Sequence, residues 1–143
     1  MSMLPESEPI ENGPSGEPLI TPDTEHSVFP RTVRMTLHIL PNATRTLKFP
    51  HNARILVGRA DDEETANDLM LELSHYGGES NGVSRVHAAI HDQEGMVYIT
   101  DLKSTNGTRI NGLLLVPEQP YRLRETDELQ FGNLTLILTQ LAR

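Results

Sequence analysis

The chain is 143 residues long with 36% hydrophobic residues, enough for one domain with a real core and short for two. It has no Cys, which excludes disulfides and thiolate metal sites, and a net charge of −8, which argues against a general nucleic-acid binder because such a protein needs a basic face to displace counterions. No apolar run reaches membrane-spanning length and the first residues lack the basic and apolar regions of a signal peptide, so a cytoplasmic protein that does not engage membranes is expected.

Residues 1–30 are rich in Pro, Glu, Ser and Gly and show no period, the composition of a disordered acidic tail that buries too little apolar surface to offset its ordering entropy. Six of the twenty acidic residues and none of the twelve basic ones precede Arg31, so this tail carries −6 of the total −8 and the domain expected over 31–143 is close to neutral. From Val33 the pattern changes. Val33, Met35, Leu37 and Ile39 alternate with Arg34, Thr36 and His38, as in a half-buried strand. "PNAT" then makes a turn, and further strands are expected over 45–49, 54–58, 86–91, 96–102, 108–110, 121–124, 128–131 and 134–139. Turn residues separate them, including "DQEG" at Asp92 to Gly95 and the pair Gly132-Asn133. Ala66, Leu69, Met70 and Leu73 fall at helical spacing, with Asp61 and Glu64 placed as a capping box; in a chain otherwise built of strands, a loop followed by a short strand over 69–73 is the preferred reading. Many short strands joined by turns predict an all-β sandwich or barrel.

Three polar stretches stand at strand ends: "GR" at Gly58 and Arg59, "SRVH" at Ser84 to His87, and "DLKSTNGTRING" at Asp101 to Gly112. If their strands are antiparallel neighbours, these loops converge at one end of the sheet. Arg59, Arg85 and Lys103 then bring positive charge, Ser84 and Thr105 bring hydroxyls, and Asn106 brings an amide that donates and accepts. That set suits a phosphate carried on a peptide: guanidinium groups bond phosphate bidentately, hydroxyls and loop N–H groups fill the remaining oxygens, and an amide pairs with main chain. Taken one at a time, Arg59 reads as a solvated strand-end charge and Ser84, Thr105 and Asn106 as turn residues; their joint occurrence carries the functional reading.

In this order, and closing with "LRETDELQFGNLTLIL", the motifs resemble the forkhead-associated (FHA) domain, a reader of phosphothreonine peptides, over about Val33 to Leu141. The resemblance implies a β-sandwich of about eleven mostly antiparallel strands whose end loops bind the ligand. It implies contacts to the phosphopeptide from Arg59, Ser84, Arg85, Thr105 and Asn106, and architectural roles for Gly58, His87, Gly107 and Asn111. It further implies a phosphothreonine-containing protein as partner, a Ser/Thr kinase upstream, and no cofactor. Residues 74–83, "SHYGGESNGV", form a longer insertion than the family leads one to expect, so peptide selectivity does not carry over. Thr21 and Thr24, in the acidic setting "TPDTEHSVF", are candidate phosphorylation sites through which the tail would bind an FHA site in its own chain or in another.

Two other classes compete. Ser84, His87 and Asp101 supply the residue types of a hydrolase triad, but no nucleophile-elbow sequence surrounds Ser84, and Ser and His within four residues at one strand start are badly placed for proton transfer. A metal site is weaker still: His87 and His91 share a strand face, with no third ligand at persuasive spacing. A third alternative is an FHA-like scaffold that binds its partner without phosphate.

Overall fold

The computed structural model describes residues 32–60 and 69–142. The expected tail with Thr21 and Thr24, and the stretch 61–68 with Ala66 and the capping-box pair Asp61 and Glu64, lie outside the described residues. Among the described residues there are eleven strands and one 3-10 turn, Ser74–Tyr76, and no helix is long and apolar enough to cross a membrane.

Alternation builds the outer strands as expected. Along β1 (Thr32–Ile39) Val33, Met35, Leu37 and Ile39 are buried, and along β2 (Ala43–Pro50) Leu47 and Phe49 are. The same period puts Ile55 and Val57 of β3 (Arg54–Gly58), Ala88 and Ile90 of β5 (Val86–Gln93), and Val97 and Ile99 of β6 (Met96–Asp101) into one core. Leu129 and Phe131 of β10 (Glu128–Phe131) and Leu134, Leu136 and Leu138 of β11 (Leu134–Ala142) enter it from the other layer. The segment that tolerated a helical reading forms the short strand β4 (Met70–Glu72), parallel to β3. β7 (Thr108–Ile110) and β9 (Tyr121–Arg122) complete the strands expected from the pattern. β8 (Leu113–Leu114) was not legible, because two residues are too few to show an alternation.

The strands form a six-stranded sheet in the order β2-β1-β11-β10-β7-β8 and a five-stranded sheet in the order β4-β3-β5-β6-β9. Every pairing except β3 with β4 is antiparallel. The two Asn-Gly pairs of the long polar stretch have different fates. Asn111-Gly112 has positive φ at both residues, 51° and 85°, and closes the β7–β8 hairpin as a type I′ turn should. Asn106-Gly107 closes no hairpin, since β6 and β7 belong to different sheets and the loop between them crosses from one to the other.

This topology fixes where the polar stretches meet. β3 pairs antiparallel with β5, and β5 with β6, so the end of β3, the start of β5 and the end of β6 lie at one edge of the five-stranded sheet. At that edge the register slips: Val57 faces Ala88 while Gly58 faces Val86, leaving His87 as the extra residue of a bulge. The slip brings Gly58 so close to β5 that a Cβ there would lie 1.9 Å from the Arg85 carbonyl oxygen. Gly58→Ala is therefore expected to destabilise the domain by about 1–3 kcal/mol, the usual cost of forcing extra volume into a packed site. The urea midpoint measures it; a midpoint equal to that of the parent chain refutes the close approach.

Candidate phosphopeptide site

The loops are held together by hydrogen bonds between residues far apart in sequence. Arg59 donates its backbone N–H to the Arg85 carbonyl at 3.1 Å and its side-chain Nε–H to the Val83 carbonyl at 2.6 Å. The Nε bond orients the planar guanidinium while its two terminal nitrogens engage no other described residue, so the bidentate fork is fixed and open. On the other side of Arg59, Glu72 accepts from the N–H groups of Ala60 at 2.8 Å and Ser74 at 3.0 Å, which pins the chain as it leaves β3.

Ser84 and Thr105 are joined directly. The Thr105 N–H donates to Ser84 Oγ at 3.0 Å. A hydroxyl that accepts in this way still carries its own proton, so Ser84 remains a donor towards an anion. Thr105 itself is exposed. Asn106 donates one side-chain N–H to the Gly82 carbonyl at 3.0 Å, which leaves its carbonyl oxygen and second N–H for a ligand's main chain. Arg85 is exposed at the start of β5. Lys103, expected to add positive charge, instead lies 3.9 Å from Glu118 in an exposed ion pair, and no hydrogen bond draws its side chain into the cluster.

His87 braces the arrangement. It is buried; its Nδ1 accepts the Ser84 backbone N–H at 2.9 Å, and its Nε2 lies 3.0 Å from the Gly107 carbonyl. A carbonyl only accepts, so Nε2 carries the proton and the ring is the neutral Nε2–H tautomer. Phe131 meets the ring edge to face with centroids 5.4 Å apart. Gly107, at φ 87°, is in the left-handed region, and its carbonyl also accepts the Gly132 N–H at 3.0 Å, tying the crossing loop to the β10–β11 hairpin. Asn111 works further out: its side chain donates to Asp127 Oδ1 and accepts the Glu128 N–H, both at 2.9 Å, locking the β7–β8 turn onto β10.

Several contributors were not legible in the sequence. Buried Asp101 shapes the crossing loop, its Oδ1 accepting from Ser104 Oγ at 2.5 Å and Thr108 Oγ1 at 2.7 Å, while Ser104 Oγ accepts the Gly107 N–H at 3.0 Å. The inserted stretch 74–83 is part of the site's frame. It folds back on itself through Gly78 N–H to the Leu73 carbonyl and Val83 N–H to the Gly78 carbonyl, and its last two carbonyls hold Asn106 and Arg59. Asn81 fastens it to the β10–β11 turn by accepting the Asn133 N–H at 2.8 Å.

The competing readings lose their geometry. Both His87 nitrogens are engaged with main chain, and Asp101 bonds Ser104 and Thr108, so Ser84, His87 and Asp101 form no proton relay. His91 stacks on Tyr98 at 5.5 Å rather than joining His87 at a metal.

Burial pushes the His87 pKa below the usual histidine value, while the Gly107 carbonyl and the Asp101 charge pull the other way. The unfolded chain therefore takes up a proton first as pH falls, and the stability His87 contributes is complete above about 6.5 and is lost as pH drops through the lower folded value. Ring-proton NMR should show His87 titrating below 6.5. The urea midpoint should fall between pH 7 and pH 5 more steeply than in His87→Asn. A ring titrating at or above 6.5 contradicts the neutral brace.

Comparison with known proteins agrees with this geometry. The FHA domain family model matches residues 55–132. Protein FraH of Nostoc sp. (strain PCC 7120) is 46% identical over 55 residues, which are 38% of this chain and 19% of FraH, so the match spans just under a fifth of that relative's length. The solution structure of the FHA domain of an Arabidopsis thaliana hypothetical protein superposes with a TM-score of 0.61 at 26% identity, covering 86% of this chain and 95% of that one. An FHA domain solved in a structural and functional analysis of phosphothreonine-dependent FHA domain interactions superposes with a TM-score of 0.55 at 25% identity, covering 75% and 96%. The chain belongs to the FHA domain family, a family of phosphothreonine-peptide-binding β-sandwiches.

Proposed function

We propose that the chain docks onto proteins phosphorylated on threonine by a Ser/Thr kinase, acting in the cytoplasm by binding and without catalysis. Arg59, Ser84, Arg85, Thr105 and Asn106 are the contacts. One observation carries the reading: Arg59 is held through Nε by the Val83 carbonyl while the rest of its guanidinium stays open, next to the Ser84–Thr105 bridge. A cation whose orientation is already set loses little side-chain entropy on meeting a dianion, and a planar fork bonds two phosphate oxygens at once. Ser84 adds a hydroxyl proton, Asn106 pairs with the peptide main chain, and Arg85 adds charge from the rim. Gly58, His87, Gly107 and Asn111 contribute shape, not contacts.

Removing one partner of a charge-assisted phosphate pair typically loses about 2–5 kcal/mol, or about 30- to 4,000-fold in affinity. Arg59→Ala should therefore abolish measurable phosphopeptide binding in a chain that stays folded. Arg59→Lys should recover only part of it, because a point charge replaces the fork. Calorimetry with a phosphothreonine peptide reads both variants, and unchanged affinity in folded Arg59→Ala overturns the assignment.

Phosphothreonine should be preferred to phosphoserine. By family resemblance its γ-methyl enters a small apolar niche beside the Asn106 loop, and burying one methyl is worth roughly 0.8 kcal/mol, or about fourfold. Matched peptides that bind equally well count against the niche.

A further inference from the structure

The outer face of the five-stranded sheet carries charge that the phosphopeptide site does not use. Register sets Arg54 of β3 beside His91 of β5, His91 beside Tyr98 of β6, and Tyr98 beside Arg122 of β9, one row across four strands. All four side chains point outward, because their neighbours Ile55, Ile90, Ile99 and Leu123 are buried in the core. The His91 and Tyr98 rings stack on each other, 22° from parallel with centroids 5.5 Å apart, so the row is an aromatic pair with a guanidinium at each end. Among the described residues neither Arg54 nor Arg122 has a side-chain hydrogen bond or an ion pair. The carboxylates of these strands do not serve them. Asp92 and Asp101 are each 2% exposed and turned inward, Asp92 to the Asn52 N–H and the His51 ring, Asp101 to Ser104 and Thr108. At the Arg54 end the row opens onto a cleft of about 430 Å³, lined by Asn52, Arg54, His91, Gln93 and Asp92. The Asp92 side chain has no exposed surface there, so a guanidinium and two amides are what the cleft offers an anion.

We propose that this face is a second anchor for the phosphorylated partner, binding an extended acidic segment of that protein whose carboxylates meet Arg54 and Arg122. This rests on the phosphothreonine reading of the site near the start of β5. Strands lie about 4.8 Å apart, so three intervals separate the two arginines by about 14 Å, and an extended chain covers that in about four residues at roughly 3.3 Å each. Two acidic residues four apart therefore fit, with the residue midway between them over the His91–Tyr98 pair. From Ser84 to His91 the chain runs roughly 20 Å, so at least about six extended residues must link the phosphothreonine to the acidic pair. An exposed ion pair contributes little alone, but on one chain with the phosphothreonine it acts at the effective concentration that the linker sets. Nucleic acid fits less well, since the two rings cover each other rather than bases and the chain carries a net charge of −8. A second copy placed face to face brings the same cations and is repelled.

The test is calorimetry of the full chain with phosphothreonine peptides that carry Glu-x-x-x-Glu about eight residues before or after the phosphothreonine, against the same peptides with Gln-x-x-x-Gln. Arg54→Gln/Arg122→Gln removes the charge of the row. Arg34→Gln/Lys48→Gln, an exposed cross-strand pair on the other sheet, removes as much charge elsewhere and is the control. In one of the two placements, the full chain and the control should bind the Glu peptide about 3- to 10-fold more tightly than its Gln counterpart. The row variant should bind both alike, with the affinity the full chain has for the Gln peptide, and still require the phosphate. Equal affinities in the full chain, as when carboxylates of this chain already occupy the row, overturn the second anchor alone. So does an advantage that survives in the row variant or is lost equally in the control. Loss of phosphate dependence in all three proteins overturns the underlying reading and the anchor with it. Binding of a fluorescent single-stranded oligonucleotide that the row variant loses, or a dimer of the unliganded chain that it dissociates in sedimentation, assigns the face to nucleic acid or to a second copy and also overturns the proposal.

Discussion

His87 holds apart, at a set distance, two loops that no local interaction would bring together. One ring nitrogen accepts from the Ser84 main chain and the other donates to the Gly107 carbonyl, so the imidazole bridges the start of β5 and the crossing between the sheets. Only a neutral ring does both, because an imidazolium has no lone pair for the Ser84 N–H. Burial against Phe131 supplies the apolar setting that disfavours the charged form. The β5 bulge makes room for this ring, and the bulge is possible because position 58 has no Cβ. The Ser84–Thr105 bridge, the direction of Arg59 and the placement of Asn106 therefore share one support.

The frame around that support is made of main-chain carbonyls. Those of Gly82, Val83, Arg85 and Gly107 each accept a hydrogen bond from a residue of another segment, and the crossing loop's remaining bends are satisfied by the buried carboxylate of Asp101. Polar groups paired in advance make a site with little left to reorganise when a ligand arrives, which favours affinity without extra contact area. The charge is local as well: the chain is acidic overall, yet the guanidinium groups of Arg59 and Arg85 stand together where β3 ends and β5 begins, and salt should screen the exposed Arg85 more than the partly buried Arg59.

The insertion at 74–83 has a larger part in the fold than its sequence conveys. In sequence it looks like an added loop beside the site, with Gly and polar residues and no strong pattern. In space it closes on itself, is fastened to the β10–β11 turn through Asn81, and supplies the carbonyls that orient Arg59 and Asn106. Lys103 shows the converse: its charge and its neighbours pointed to the ligand, while its side chain stands near Glu118.

Period-two burial along β1, β10 and β11 and the convergence of the three polar stretches were determined by the sequence itself, because alternation and turn chemistry are local and written in side-chain type. The ordered motifs named the family for the same reason. What only the tertiary structure decided was who holds them: Val83 for Arg59 across 24 positions, Gly82 for Asn106 across 24, and Gly107 for His87 across 20. In each of these bonds the partner is a backbone carbonyl. Every residue has that group, so nothing in a one-dimensional string distinguishes the one that will be used until the fold brings it within 3 Å of its donor.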